Sequence, residues 1–252
     1  MSKKKRRIAL ISWICLMAVL LAASLLTGGA KVKSESIKEV MRDAVLHESN
    51  KVSLFGLKDV NPALISAFTV TIILLVAALL IRIFVIPRFK YVPGKFQMML
   101  EALVGFFDNL AKSNSPHRNG FLGAYIFGAG VYIFFGTLFE LFGIQVVTTG
   151  GTSMALSAPL SDINAAIALG CLSYLIIMSG GIAGNGVKGI GLTLKDFSLP
   201  ISMSFRLFGA LLSGLLVTEL VYYYINLSFV LPVVVGIMFT LLHALIQTYV
   251  LT

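Results

Sequence analysis

Six stretches of this chain run for about twenty residues or more with at most two charges each: residues 8–27, 62–86, 121–143, 160–184, 197–224 and 231–252. A helix of that length, rising about 1.5 Å per residue, spans the ~30 Å hydrocarbon core of a bilayer. Backbone groups at that depth cannot bond to water, so each run must satisfy its own hydrogen bonds. The expectation is an all-α, polytopic membrane protein with five to six membrane helices. The totals exclude a soluble domain: 58% of the 252 residues are hydrophobic and only 12% are charged, and mean hydropathy is +0.93.

The net charge of +9 would suggest nucleic acid in a soluble protein. Here it reports topology, because Lys and Arg collect in cytoplasmic loops. The basic segments 3–7, 88–95, 112–118 and 188–195 all fall on one side of the membrane when the runs are threaded in turn, and the uncharged loop 146–158 falls on the other. Cys15 and Cys171 lie far apart inside apolar runs, and His47, His117 and His243 lack metal-ligand spacing. No metal or cofactor is expected, and no nucleic-acid partner.

Residues 1–30 read as a signal-anchor, with a cleavable signal peptide as the alternative. Lys3-Lys-Lys-Arg-Arg7 supplies the basic start and Gly28-Gly-Ala30 a small-residue cleavage site. The run 8–27 is longer than an ordinary signal core, which favours the anchor. Residues 31–60 form an external polar segment of mixed charge, with helical patterning around Ser36–Leu46. Residues 61–252 form the membrane domain. Asn61-Pro62 fits a helix N-cap followed by proline in the first turn. Residues 95–112 are amphipathic: Gln97, Glu101, Asp108 and Lys112 share one face. With its charges this helix is expected at the interface or beside the spans rather than across the membrane. Residues 185–196, rich in glycine, read as a cytoplasmic turn, and 146–158 as an external loop.

Few polar groups then remain inside the membrane: Glu140, Asp162, Asn164, Arg206, Glu219, His243 and Gln247. Arg206 stands out, in the middle of an otherwise uncharged run from 197 to 218. A charge at that depth costs about 2.5–3.5 kcal/mol on insertion scales, and such a residue faces a partner or a wet cavity. Helical spacing places it in a stripe of small side chains with Ser202, Ala210, Ser213 and Gly214, where another helix can approach closely. Glu219 lies thirteen residues further on, about 20 Å along a helix, too far to pair with Arg206. The last two runs are joined by a short turn and form an antiparallel hairpin that brings Gln247 level with Arg206. His243 and Gln247, four apart, face together. Glu140 and Asp162 stand at similar depth on the external side and suit the mouth of a cation path. Asp162 equally suits a helix N-cap.

Two other classes explain less. A secondary transporter built from repeats would show two similar halves, and the sequence has no internal repeat. An intramembrane serine protease using Ser213 with His243 would need activating and oxyanion-stabilising groups that the residues around Ser213 do not supply. Both leave Arg206 without a role.

Pro200-Ile-Ser-Met-Ser-Phe-Arg-Leu-Phe-Gly209, followed by Ala244-Leu-Ile-Gln-Thr-Tyr-Val250, resembles subunit a of F-type ATP synthases, the ATPase A chain family of the Fo sector. Asn61-Pro62, Val92-Pro-Gly-Lys95, Glu140-Leu-Phe142 and Ser161-Asp-Ile-Asn164 support the match, which covers roughly residues 60–252. The resemblance implies a non-catalytic stator subunit in a cell membrane, the bacterial plasma membrane in particular. Its partners would be a rotating ring of c subunits, the b-subunit stalk and the lipid bilayer. It implies that the family's essential arginine falls on Arg206, facing the ring carboxylate between two offset half-channels for H+ or Na+. It implies that the family's glutamine falls on Gln247, and that the last two helices form a long tilted hairpin against the ring.

This sequence departs from the family pattern at three inlet positions. Ala210 stands where the family usually has Asn, Leu215 where it has Glu or His, and Thr240 where Glu or His is common. The expectation is that Glu219 and His243 move the inlet's polar groups by one turn, assisted by Asp162 and Asn164. A specialised paralogue is the alternative. The chain also stops at Thr252, sooner after the glutamine than is usual, which reads as a truncated C-terminus or an incomplete sequence.

Overall fold

The computed structural model describes residues 3–26, 36–46, 51–54, 57–114, 119–148, 151, 153–223 and 231–251. The expected cleavage site at 28–30 and the expected short turn at 226–230 lie outside them. Among the described residues, five helices are long and apolar enough to cross a membrane: Pro62–Arg88, Gly120–Phe142, Ile163–Gly184, Ser198–Tyr223 and Leu231–Val250. The protein is an all-α, multi-pass membrane protein. The first apolar run is also helical, as α1 (Lys3–Leu26).

The described part of residues 31–60 holds more structure than its mixed charge suggests. Helix α2 (Ile37–Leu46) forms where the pattern predicts it and packs against the fourth long helix. A small antiparallel hairpin follows, β1 (Val52–Leu54) with β2 (Leu57–Val60). It delivers the chain to α3 (Pro62–Leu80), which Asn61 caps by accepting a bond from the Ala63 amide at 2.9 Å. Pro62 sits in the first turn, where a missing N–H costs nothing. Helix α3 continues through a π-turn at Ile81–Val85 and a short 3-10 turn at Ile86–Arg88. Pro87 lies in that turn, lacks an amide donor and ends the regular ladder.

Helix α4 (Lys95–Asn114) is the expected amphipathic element. It packs antiparallel beside α5 (Asn119–Leu138) through Phe107 and Ala111 against Ile126, with Phe107 edge-on to Phe127 at 5.6 Å. Its polar stripe pairs within itself: Gln97 Nε2 donates to Glu101 at 2.7 Å, and Lys112 meets Asp108 at 2.5 Å. Helix α5 runs into a 3-10 turn at Phe139–Phe142 that carries Glu140.

Two expected loops are corrected. Residues 145–155 hold a second hairpin, β3 (Gln145–Val147) with β4 (Ser153–Ala155). The chain after it dives inward: Leu156, Ala158 and Leu160 are buried core residues. Ala158 and Leu160 join Ile133, Ala166, Leu207 and Leu211 in the largest cluster. An uncharged loop rich in small residues can fill a helix junction, which the lack of periodicity concealed. Residues 185–196 are likewise not a plain turn. After α6 (Ile163–Asn185), Gly186 adopts φ 61° and ψ −144°, and α7 (Val187–Leu194) starts at once. That conformation favours glycine strongly. Tertiary contact holds the short helix: the buried Tyr174 hydroxyl of α6 donates to the Thr193 carbonyl at 2.9 Å.

The last hairpin is α8 (Ser198–Tyr223) against a broken final rod: α9 (Leu231–Val235), a π-turn at Gly236–Leu241 and α10 (Leu242–Leu251). Helix α8 seats on α6 at Gly170, where a side chain would collide with the Ser204 hydroxyl and come within 2.9 Å of the Pro200 carbonyl. The outward faces of the spans carry large apolar side chains, among them Phe68, Ile72, Leu75 and Leu79. These suit lipid contact. In lipid, helix association rests on close packing and interhelical bonds rather than on the hydrophobic effect.

Candidate functional site

The final hairpin builds the site. Gly214 touches Phe239, since a Cβ added there would lie 3.4 Å from the Phe239 Cβ. Eight residues earlier Arg206 meets Gln247, eight residues after Phe239. Equal steps in opposite directions define the antiparallel register, and they put Ala210 level with His243.

Helix α8 divides its faces sharply. Ser204, Leu207, Leu211 and Gly214 are buried, whereas Ser202, Phe205, Arg206, Gly209 and Ser213 are exposed. Ala210 lies between the two. The stripe of small residues is therefore split: Gly214 supports the hairpin, while Ser202 and Ser213 share the open face with Arg206. Phe205, at 63% exposure, and Tyr249 of α10, also at 63%, present large side chains on the exposed surface of the same hairpin.

Behind the exposed arginine sits a buried amide. Gln247 is 5% exposed. Its Nε2 lies 2.9 Å from His243 Nε2 and approaches the Arg206 carbonyl at 3.5 Å. With the amide donating, His243 accepts and carries its proton on Nδ1. The Gln247 Oε1 is buried and has no protein partner, a costly condition in an apolar interior. Ala244, fully buried, fixes this face of α10, and Thr248 reaches the Gly130 carbonyl of α5 at 3.5 Å. Among the described residues no carboxylate lies within ion-pair distance of Arg206. The expected level of Gln247 with Arg206, and the shared face of His243 and Gln247, are thus seen directly as contacts.

The other polar groups gather at the opposite end of the hairpin. Glu140, in the turn after α5, and Glu219 on α8 lie toward the same end of the hairpin. The adjacent Leu141 packs so close to Gly236 that a Cβ there would lie 3.3 Å from its methyl. So the turn after α5, α8 and the π-turn meet at one place, near the level of Glu219 on α8. Thr240 in that π-turn is buried, and Leu215 is half-buried. His243 stands nearer to Arg206 than to Glu219: nine residues separate Ala210 from Glu219, about 13 Å along the helix.

Asp162 caps α6, accepting from the Asn164 amide at 2.6 Å. Its second oxygen accepts a short bond from Asn61 Nδ2 across 101 residues of sequence. Asn164 itself is exposed. Sequence reasoning read both caps but missed that they join. It also missed Ser157, whose buried hydroxyl has no partner in the core linker. Neither feature has a periodic or compositional signature.

A multi-pass helical membrane protein with a lone, exposed arginine at mid-span, backed by a buried amide and imidazole, is the class that this fold and site define. The chain belongs to the ATP synthase A chain family, whose profile matches residues 64–252. It is similar to the ATP synthase subunit a of Histophilus somni, with 26% identity over 193 residues, covering 64% of this chain and 71% of that one. It is also similar to the ATP synthase subunit a of Cereibacter sphaeroides, with 25% identity over 177 residues, covering 66% and 68%. The match to the same subunit of a Shewanella species is 26% over 154 residues, covering 52% and 58%.

Proposed function

We propose that this chain is the ion-translocating stator subunit of a rotary ATP synthase in the cell membrane. It performs no phosphoryl transfer itself. It couples the flow of H+ or Na+ to rotation of a ring of c subunits, and it is held by the b-subunit stalk. The observation that carries this reading is the exposure of Arg206 on the open face of the final hairpin. A cation at that depth, without an internal carboxylate, is suited to meeting a carboxylate on another protein. Gln247, buried behind it, holds the arginine's backbone without neutralising its charge.

In this reading the ring rolls against Ser202, Phe205, Arg206, Gly209 and Ser213 of α8, with Ala210 at the edge of the contact. Small side chains let the ring's helices approach the backbone closely. Gly214 serves the other side, seating the hairpin on itself. The external half-channel runs from Asp162 and Asn164 at its rim, past Glu140 and Glu219, to His243. His243 takes the level that Ala210 leaves apolar. The second half-channel lies on the cytoplasmic side of Arg206, and the arginine keeps the two from joining.

The partner is tested by cross-linking. Ser202→Cys and Ser213→Cys, each combined with a cysteine next to the ring carboxylate, are expected to form disulfides with the c subunit under mild oxidation. Gly214→Cys in the same assembled complex is expected not to. Absence of any ring cross-link from the two serine positions would contradict the reading.

A further inference from the structure

One long-range tie in the membrane domain joins Asp162, at the rim of the proposed ion path, to Asn61, which has no part in that path or in the ring face. Asn61 and Asp162 are each a helix N-cap, and each uses its second polar atom on the other. Asn61 Oδ1 accepts from the Ala63 amide at 2.9 Å while Nδ2 donates to Asp162. Asp162 Oδ1 accepts from the Asn164 amide at 2.6 Å while the other oxygen takes the Asn61 bond. The pair sits beside buried Pro62, Ala63, Leu160 and Ser161, so it closes over the core rather than standing free. Ionised carboxylates hydrogen-bonded in this way make charge-assisted bonds, stronger than neutral ones.

The tie lies at one end of a short mechanical chain. Asp162 fixes the start of α6. Two turns on, Gly170 allows α8 to approach until Ser204 and the Pro200 carbonyl leave no room for a side chain. Ser204 is two residues from Arg206. The start of α6 and the arginine's helix thus belong to one closely packed unit, through Gly170 against Ser204 and Ala166 against Leu207 and Leu211.

We propose that Asn61 is a positioning residue for ion translocation. By holding the Asp162 carboxylate it sets the depth of α6, and through the Gly170 contact it sets the level at which Arg206 meets its partner. This rests on the proposed function above. The pair's chemistry also separates position from charge. Exchanging the two residues keeps both caps and the bond between them, since an Asn at 162 can donate to an Asp at 61, and it moves the negative charge from α6 to α3.

The test uses complete complexes reconstituted in vesicles, and reads ions pumped per ATP hydrolysed, normalised to the assembled subunit. A purely structural role changes the amount assembled but not this ratio. Asn61→Asp sets two carboxylates against each other and is expected to lower the ratio at least threefold. The exchange N61D with D162N, which keeps one carboxylate at the rim and restores one acceptor and one donor, is expected to recover at least half of the loss. If Asn61→Asp fails to assemble, Asn61→Ser takes its place. It can cap α3 but is too short to reach Asp162, and the same drop is expected. An unchanged ratio in the single variant overturns the proposal. So does an exchange variant as poor as the single one, which would mean that the carboxylate is needed at 162 itself. Complexes carrying Arg206→Ala test the underlying function separately, because that substitution leaves the Asn61–Asp162 tie intact.

Discussion

At the residue scale, position along the helix decides what each polar group can do. Gln247 touches both Arg206 and His243, whereas Glu219 lies on the far side of His243 from the arginine. The three positions at which the sequence departs from the pattern that its resemblance implies are Ala210, Leu215 and Thr240. Two of them are half-buried and one is buried, so none offers an ionisable group to an ion. If the inlet runs through Glu219 and His243 instead, replacing both with leucine removes every ionisable step between Glu140 and the arginine. Ion flux through the assembled complex is expected to fall at least a hundredfold, as a charge would then cross an apolar gap costing about 3 kcal/mol or more. Proton uptake into vesicles reads this directly, and wild-type uptake would sink the proposed inlet. The charged residues of this region were legible in the sequence, since each interrupts an apolar run. That Glu140 and Glu219 stand toward the same end of the hairpin was only half legible. The two lie on helices whose adjacency depends on the fold.

At the element scale, the spans were readable because membrane crossing imposes a length and a composition. The caps were readable because Asn-Pro and Ser-Asp-Ile-Asn carry local donor and acceptor logic. What escaped was set by tertiary contact. Helix α7 contains Gly189 and Gly191 in eight residues, a poor helix by propensity, yet the Tyr174 bond holds it. Residues 156–161 look like loop and fill the core, because their small side chains fit where three helices converge. The π-turn at Gly236–Leu241 gave no periodic warning either. It coincides with the close approach of Leu141 to Gly236. The packing of α6 on α8 makes a sharper claim. Gly170→Leu introduces a side chain where the Ser204 hydroxyl and Pro200 carbonyl already sit. It is expected to cost at least 2–3 kcal/mol of packing, on the order of other overpacked sites. The subunit should be degraded or absent from the complex, as an immunoblot of membranes would show. Normal abundance and normal coupling in Gly170→Leu would contradict the close α6–α8 contact.

At the scale of the whole molecule, Arg206 stands exposed in the middle of a span whose neighbours present large apolar side chains outward. The protein's core joins α5, the 156–161 linker, α6 and α8 through Ile133, Ala158, Leu160, Ala166, Leu207 and Leu211. Leu207 and Leu211 bury the face of α8 next to the one that carries Arg206, so the same helix is anchored and open at once. The fold class, the run of spans and the level of Gln247 with Arg206 could be argued from the chain alone, because a short hairpin turn fixes which residues lie side by side. The tie between Asn61 and Asp162 could not, since nothing local relates two residues 101 apart. The central claim is that Arg206 couples ion movement to rotation. The most direct measurement is ATP synthesis driven by an imposed ion gradient, in vesicles holding assembled complexes with Arg206→Ala. Synthesis is expected to be lost with assembly preserved, because Arg206 is exposed and, among the described residues, its side chain makes no hydrogen bond or ion pair. Synthesis at the parent rate would contradict it.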